Sequence, residues 1–274
     1  MNLFFEIFSQ PFVVRALVVG VFVSVAASIL GVSLVLKNYS MLGDGLSHVG
    51  FSVLAIASVL NLAPILVSIP IVIVFAIFLL RFSESFKIKG DSAIALVSTS
   101  SLSVGIVFVS AAKGMNVDVL NYMFGSIIAI GKQDLIFSVI FSSIVVLLFV
   151  LLYNGVFSVT FDEEFAKATG VNTKFYTTVV AVLTAIMIVV GMKIVGALLM
   201  SGLIVFPALI SMRLVNSFKL IFVCSVIFSV FCFVVGLIFS YFLSVPPGAM
   251  VVLVDLFVFI ICSFLGYFLD KRRY

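Results

Sequence analysis

The feature that most constrains the fold is a series of long apolar runs separated by short polar breaks. Nine such runs lie between residues 14 and 269. Most approach the length of about 20 residues that a helix needs to cross a bilayer. Backbone groups in lipid must be hydrogen-bonded within the protein, and a β-barrel would show alternating segments of about ten residues instead. The chain is therefore predicted to be an all-α polytopic membrane protein.

The composition excludes a water-soluble globule. Of the 274 residues, 64% are hydrophobic and 9% are charged, whereas a soluble domain carries about 25% charged residues. The net charge of +4 does not indicate nucleic-acid binding, because the basic residues lie at the ends of the apolar runs, as in the positive-inside pattern. The three cysteines lie inside apolar runs and predict no disulfide framework.

The chain reads as one transmembrane domain over residues 1–274. The predicted spans are 14–36, 46–60, 64–80, 92–112, 135–153, 175–192, 194–211, 220–243 and 250–269. Segment 113–132 is rich in Gly, Asn and Asp and predicts a re-entrant or interfacial hairpin. The basic tail 271–273 predicts a cytoplasmic C-terminus. A tenth span would move the basic loop 81–91 to the outside, which favours nine.

The only histidine of the chain, His48, follows Asp44 by four residues. On a helix, this spacing places both side chains on one face. A carboxylate beside an imidazole suits zinc, manganese or iron(II). Polar residues next to membrane spans are costly and usually functional. The alternative is that Asp44 caps a helix and His48 is simply packed.

The longest polar stretch, 154–174, contains a second pattern. Its core, Phe161-Asp-Glu-Glu-Phe-Ala-Lys-Ala-Thr-Gly170, predicts a short helix that ends at the glycine. Such a charged helix with an apolar face is suited to docking into a groove of a soluble subunit. The alternative is an interfacial connector without a partner.

Three further carboxylates invite an interpretation. Asp255 is the only one deep in a predicted span, where an ionised Asp costs about 2.5–3.5 kcal/mol. We therefore expect it to face a polar cavity or a partner, or to be protonated. Asp118 and Asp134 flank the predicted hairpin, where they either receive an incoming cation or are solvated loop charges.

The sequence carries no motif for ATP hydrolysis or other catalysis. The nearest match to a phosphate loop runs from Gly125 to Lys132, but it has one residue too many and lacks the following Ser or Thr. There is no second histidine and no nucleophile elbow. The chain is therefore predicted not to be an enzyme, and ATP-driven work would need another subunit.

Four motifs in order resemble the membrane permease of bacterial ABC-type zinc/manganese/iron importers. They are Gly43-Asp44-x-x-Ser47-His48-x-x-Phe51, Asn121-Tyr-Met-Phe-Gly-Ser126, Asp162-Glu-Glu-Phe-Ala166-x-x-x-Gly170-Val and Val195-Gly-Ala-Leu-Leu-Met-Ser-Gly-Leu-Ile-Val-Phe-Pro207. The resemblance covers nearly the whole chain. One departure is Val53-Leu54, where the family often has Pro-Gly; this changes the bend of the second span but leaves Asp44 and His48 in place.

The resemblance implies a type II ABC importer-like fold in the cytoplasmic membrane of a bacterium. It implies a homodimer of this permease, two copies of a cytoplasmic ATP-binding subunit and an extracytoplasmic metal-binding protein. No cofactor is bound permanently, and the transported ion is Mn, Zn or Fe. The resemblance implies that Asp44 and His48 bind the metal. It implies coupling to the ATP-binding subunit by Asp162, Glu163, Glu164, Ala166 and Gly170, and outer gating or binding-protein docking by Asn121, Phe124 and Gly125. Asp118 and Asp255 remain accessory candidates from their positions in the sequence. The rival functions are a permease for a chelated metal or cofactor, and a membrane scaffold without transport activity.

Overall fold

The computed structural model describes residues 10–85, 90–112, 122–125 and 131–270. Within these ranges the chain forms eleven helices of six or more residues and no strand. The helices are α1 Pro11–Leu36, α2 Met41–Val59, α3 Pro64–Ser85, α4 Gly90–Ala111, α5 Lys132–Leu151, α6 Tyr153–Phe161, α7 Glu163–Ala168, α8 Thr173–Val195, α9 Ala197–Leu214, α10 Phe218–Leu243 and α11 Pro247–Asp270.

Nine of the helices in the described ranges are long and apolar enough to cross a membrane, and only α6 and α7 are not. The predicted all-α polytopic fold with nine spans is therefore confirmed. α1, α2, α8 and α9 form the interior, because 56–67% of their spanning windows is buried within the chain, against 22–44% for the other five. The interior helices lie close together where side chains are absent. A Cβ on Gly31 of α1 would lie 1.9 Å from the Ile204 carbonyl oxygen of α9.

Asp44 and Gly196 lie at opposite ends of the bundle. At the Asp44 end, α1 ends and α2 begins; at the Gly196 end, α8 ends and α9 begins. α4 runs parallel to α2, because Ile94 contacts the start of α2 at Gly45 whereas Gly105 contacts Ser52 further along.

α4 ends and α5 begins at the same end of the bundle. α4 ends at the Gly196 end, and Asp134 at the start of α5 pairs with Lys193 near the end of α8. This arrangement agrees with the predicted hairpin and not with a tenth span. Residues 113–121 and 126–130 lie outside the described residues, and these include Asp118 and Asn121.

Three predicted boundaries were wrong. α2 begins at Met41 rather than at residue 46, so Asp44 lies inside the helix. α8 continues through Lys193 to Val195 and breaks at Gly196, whose φ of 90° suits a residue without a Cβ. Residues 154–161, predicted as part of a polar loop, belong to α6, which buries Val156 and Val159.

Candidate metal centre

Asp44 and His48 lie one turn apart on the same face of α2, as predicted. The Asp44 Oδ2 to His48 Nε2 distance is 3.7 Å. This is too long for a hydrogen bond, so neither group satisfies the other. Two ligands of one tetrahedral metal ion, each about 2.1 Å from it, lie about 3.4 Å apart. The pair therefore has nearly the spacing of two neighbouring ligands of one ion.

The pair lies on a narrow face of α2 that the described part of the chain leaves partly uncovered. This face, the α2 stripe, comprises Met41, Asp44, His48, Ile56 and Val59. The side chains of Asp44 and His48 are 43% and 31% exposed. Most of the rest of α2 is buried. Both ligand atoms are thus reachable from outside the chain although the helix itself is interior.

Ser52 divides the α2 stripe into a polar and an apolar half. Its hydroxyl donates to the Ser101 carbonyl of α4 at 2.6 Å, and a bond to the His48 carbonyl is 3.0 Å long. Ser52 is only 4% exposed because α4 covers it. The polar half, Asp44 and His48, therefore faces the Asp44 end, and Ile56 and Val59 lie towards the Gly196 end.

Small residues determine which face α2 presents. A Cβ on Gly45 would lie 2.5 Å from Ile94 of α4, and one on Gly50 would lie 2.8 Å from Met192 of α8. The Ser47 hydroxyl donates to the Gly43 carbonyl at 2.8 Å and so needs no partner outside the helix. Because α4 and α8 close on these positions, α2 cannot rotate without clashes, and the Asp44–His48 face remains outward.

Asp44 and His48 supply two ligands and no more. Among the described side chains, no three His, Cys, Asp or Glu residues are grouped closely enough to hold a metal ion. Protein sites for zinc usually have three or four protein ligands. Within the described part of one copy, Asp44 and His48 therefore stand as a pair, one or two ligands short of such a set.

The predicted coupling helix is present as α7. The Phe165 amide donates to Asp162 Oδ1 at 2.9 Å, which makes Asp162 the N-cap. Gly170 has a φ of 83°, and the Val171 amide donates to the Ala166 carbonyl, so the helix ends in the glycine motif that the sequence predicts.

Lys37 joins α7 to the bundle. Its ammonium lies 3.1 Å from Glu163 Oε2 and donates to Thr177 Oγ1 of α8 at 2.8 Å. Lys167 approaches the other Glu163 oxygen at 2.9 Å. Partial burial raises the pKa of Glu163, but the hydrogen bonds and charges of Lys167 and Lys37 outweigh it and lower the pKa overall. Sequence reasoning missed Lys37, which lies 126 positions before Glu163 and carries no local pattern.

One face of α7 is buried and the other is exposed. Ala166 is fully buried, whereas Phe165 is 64% exposed. Phe161, the last residue of α6, is 77% exposed just before α7, and Glu164 lies exposed between the two phenylalanines in the sequence. Two aromatic rings left uncovered beside charged residues have the composition of a binding surface.

The described part of the predicted hairpin lies against the Gly196 end. The Tyr122 and Ser58 hydroxyls are 3.1 Å apart, which joins the segment to the end of α2. Gly125 lies against Val195, and a Cβ on Gly196 would be 2.4 Å from the Gly125 amide nitrogen. Phe124 and Gly125 thus contact the α8–α9 break.

Two other carboxylates lie away from Asp44 and His48. Asp255 is fully buried, and neither carboxylate oxygen has a hydrogen-bond partner among the described residues, although Cys232 lies beside it. Asp134 pairs with Lys193 and accepts from the Gly131 amide, so it is not free to receive a cation. Neither residue adds a ligand to Asp44 and His48.

Comparisons with known proteins agree with this architecture. The family model described as "ABC 3 transport family" matches residues 9–266. The zinc uptake membrane protein ZnuB of Haemophilus influenzae is 29% identical, covering 91% of this chain and 95% of its own. The manganese transport membrane protein MntC of Listeria monocytogenes is 28% identical, covering 99% of this chain and 98% of its own.

A solved structure shares the fold. PsaBC from Streptococcus pneumoniae, determined with a Fab, superposes with a TM-score of 0.83 at 28% identity, covering 92% of this chain and 91% of that one. Fold and sequence agree over almost the entire length. This multi-pass membrane protein belongs to the ABC 3 transport family.

Proposed function

We propose that the chain is the permease subunit of an ATP-driven importer of divalent transition metal ions: manganese, zinc or iron(II). The observation that carries the proposal is the Asp44–His48 pair, held on the uncovered α2 stripe with a spacing close to that of two metal ligands. Relatives over the full length are named for zinc and manganese transport, which supports the same class of substrate.

Two copies of the chain would complete the site. Two Asp44 carboxylates neutralise a divalent ion, and two neutral His48 imidazoles bring the ligand number to four. The α2 stripe supports this dimer because it is the face of an otherwise interior helix that the chain itself leaves open. The mixed oxygen and nitrogen ligands bind all three metals, so selectivity depends on geometry and supply.

The distribution of basic residues supports a cytoplasmic Asp44 end. Six described Lys or Arg residues lie there, against three at the Gly196 end. The six at the Asp44 end are Lys37, Arg81, Lys167, Lys174, Arg213 and Lys219. The three at the Gly196 end are Arg15, Lys132 and Lys193. α11 ends at the Asp44 end, so the C-terminus is cytoplasmic as well.

On this orientation α7 lies where cytoplasmic ATP-binding subunits attach, one for each permease. The exposed Phe161 and Phe165 would enter a groove of that subunit, and Glu164 would lie at its rim. Asp162 and Gly170 fix the two ends of α7, while Ala166 and Glu163 attach it to the bundle. Movement of the ATP-binding subunit would then reach α1 and α8 through Lys37.

The opposite end would receive the metal from an extracytoplasmic binding protein. Phe124 and Gly125, together with Asn121, are the proposed docking and gating residues. Support comes from the contact of Gly125 with the α8–α9 break and of Tyr122 with the end of α2, the helix that carries the metal ligands.

The test is metal uptake into proteoliposomes containing the permease, its ATP-binding subunit and its delivery protein. We expect Asp44→Asn and His48→Ala each to lower uptake by at least about 100-fold, because losing even a partner of a metal ligand costs about 10–100-fold in affinity. Asp255→Asn is the matched control, a carboxylate change in another span, and should retain uptake.

Subunit assembly must be measured in the same samples. Uptake at the wild-type rate in both variants would refute the metal site. Uptake of a metal chelate but not of the free ion would refute the proposed substrate. Normal assembly with no uptake by the wild-type complex would favour a scaffold.

A further inference from the structure

A polar pocket separate from the metal ligands opens at the Asp44 end. Its volume is about 380 Å³, within the range of about 300–1,000 Å³ that small-ligand sites occupy. It is lined by Tyr39, Leu80, Arg81, Glu163, Lys174, Thr177 and Thr178. These residues come from the α1–α2 turn and from α3, α7 and α8, so the pocket exists only in the folded bundle.

The pocket has a surplus of positive charge. Its one described carboxylate, Glu163, already binds both Lys37 and Lys167. No ion pair or hydrogen bond to a described residue holds the side chain of Arg81 or of Lys174. Two cations on different helices thus face one cavity whose one described carboxylate is already paired with other lysines.

Hydroxyl groups complete an anion-binding lining. Thr177 accepts from Lys37, which leaves its own proton available for donation. Thr178 lies on the same turn of α8. A guanidinium, an ammonium and hydroxyl donors on converging elements are the groups that bind phosphate oxygens.

The pocket lies at the depth of lipid headgroups. The apolar run of α3 ends at Leu80, directly before Arg81, and α8 begins at Thr173, directly before Lys174. Leu80 supplies an apolar wall on the membrane side of Arg81. Basic pockets between helices at this depth bind the head groups of anionic lipids, whose chains then lie along the helices.

We propose that this pocket binds the phosphate headgroup of an anionic phospholipid. The phosphodiester would contact Arg81 and Lys174, with donors from Thr177 and Thr178. A zwitterionic lipid would bind less well because its own ammonium opposes the surplus charge. The binding does not depend on the transport proposal, but one consequence does: if α7 couples to the ATP-binding subunit, the lipid would lie against Glu163, the residue that attaches α7.

The test uses the full-length permease purified with its ATP-binding subunit and supplied with equal amounts of phosphatidylglycerol and phosphatidylcholine. Retained lipids are counted by native mass spectrometry. We expect a preference for phosphatidylglycerol that falls about thirtyfold in Arg81→Gln/Lys174→Gln, since each cation near an anionic lipid surface contributes about a factor of five. Lys219→Gln, an exposed cation at the same end but outside the pocket, should retain the preference.

Each other outcome overturns the proposal. An unchanged phosphatidylglycerol preference in the double variant would place the lipid elsewhere. Displacement of the lipid by inorganic phosphate at equal concentration would identify a free-anion site. Loss of the ATP-binding subunit with unchanged lipid retention would assign the pocket to that protein. Thermal unfolding in neutral detergent establishes that the double variant is folded.

Discussion

α2 and α11 each carry a carboxylate within a candidate span, but in opposite settings. Asp44 on α2 is 43% exposed and faces His48 across 3.7 Å. Asp255 on α11 is fully buried, with no hydrogen-bond partner among the described residues. By its complete burial within a span, Asp255 is the more unusual of the two carboxylates. By chemistry Asp44 is the better ligand, because a cation can reach it and a second donor is already in place.

The comparison extends to aromatic residues of equal exposure. Phe165 on α7 is 64% exposed, and Phe257 on α11 is 65% exposed. Phe257 lies in an apolar span and has lipid as its natural surroundings, whereas Phe165 follows Glu163 and Glu164 in a short charged helix. Equal exposure therefore has different meanings: in the apolar span lipid accounts for it, whereas beside charged residues it favours a binding surface.

The largest effect is expected for the phenylalanine pair. Phe165→Ala should weaken binding of the ATP-binding subunit by about thirtyfold, the loss expected when an aromatic hot spot of about 2 kcal/mol is removed. Phe257→Ala, at equal exposure, should leave it unchanged. The measurement is the dissociation constant of the two subunits in detergent. Equal effects of both substitutions would remove the distinction between the two faces.

The outward orientation of Asp44 depends on close packing of α2. A Cβ on Gly105 of α4 would lie 2.8 Å from the Ser52 Cα. Gly105→Leu should therefore lower the free energy of unfolding by about 1–3 kcal/mol, as overpacking does. The control is Ile106→Leu, next to it and 40% exposed. Chemical denaturation in detergent measures both, and equal stability of the two variants would show that α4 does not fix α2.

For Asp255 we expect a gain in stability. An unsatisfied buried polar group costs about 1–3 kcal/mol, so Asp255→Val should raise the free energy of unfolding by about 1 kcal/mol, after some loss to its extra volume. The same denaturation experiment checks it. A loss of stability with a loss of metal uptake would show that Asp255 has a partner in the assembled complex and would weaken the contrast with Asp44.

The smallest effect concerns the attachment of α7. The pKa of Glu163 is lowered in the folded chain. The stability that its carboxylate adds to the attachment of α7 is therefore present above pH 4.5, its usual pKa, and is lost as the pH falls through the lower folded pKa. The carboxylate is 41% exposed, which limits the contribution to below about 1 kcal/mol.

Hydrogen exchange of the α7 amides measures that contribution. Exchange, corrected for its intrinsic pH dependence, should accelerate below pH 4.5 in the wild type. Glu163→Gln should show the faster exchange already at neutral pH, and Glu164→Gln should behave as the wild type. A pH response retained in Glu163→Gln would show that another group attaches α7.

The spans and the shared helix face of Asp44 and His48 could be predicted from the sequence because both depend on local spacing. Apolar length determines a span, and the separation of Asp44 and His48 determines that they share a helix face. The start of α2 was predicted too late because Gly43, Asp44 and Gly45 have low helix propensity. Tertiary contacts override that propensity, since the two glycines allow Ile204 and Ile94 to pack against the first turn.

Long-range contacts could not be predicted in the same way. The bond from Lys37 to Glu163 joins residues 126 positions apart, and nothing near either residue indicates the other. The position of Asp255 in a span is visible in the sequence, but the absence of a hydrogen-bond partner among the described residues depends on how α9, α10 and α11 meet. The α6 segment has the composition of a loop, and the burial of Val156 and Val159 that makes it a helix is a property of the fold.

The junction of Gly125, Gly196 and Gly248 has a mechanical consequence. Cβ atoms on these residues would meet backbone atoms of the neighbouring segments at 2.4–2.7 Å, so main chain packs directly on main chain. Within segment 122–125, Tyr122 holds one end through Ser58, whereas Gly125 at the other end has no side chain to displace. At the Asp44 end, α7 can move only after Glu163 leaves Lys37, which also holds Thr177 of α8. The two ends of the bundle are therefore fastened differently: backbone contact without side chains at the glycines, and a charged bond at the lysine.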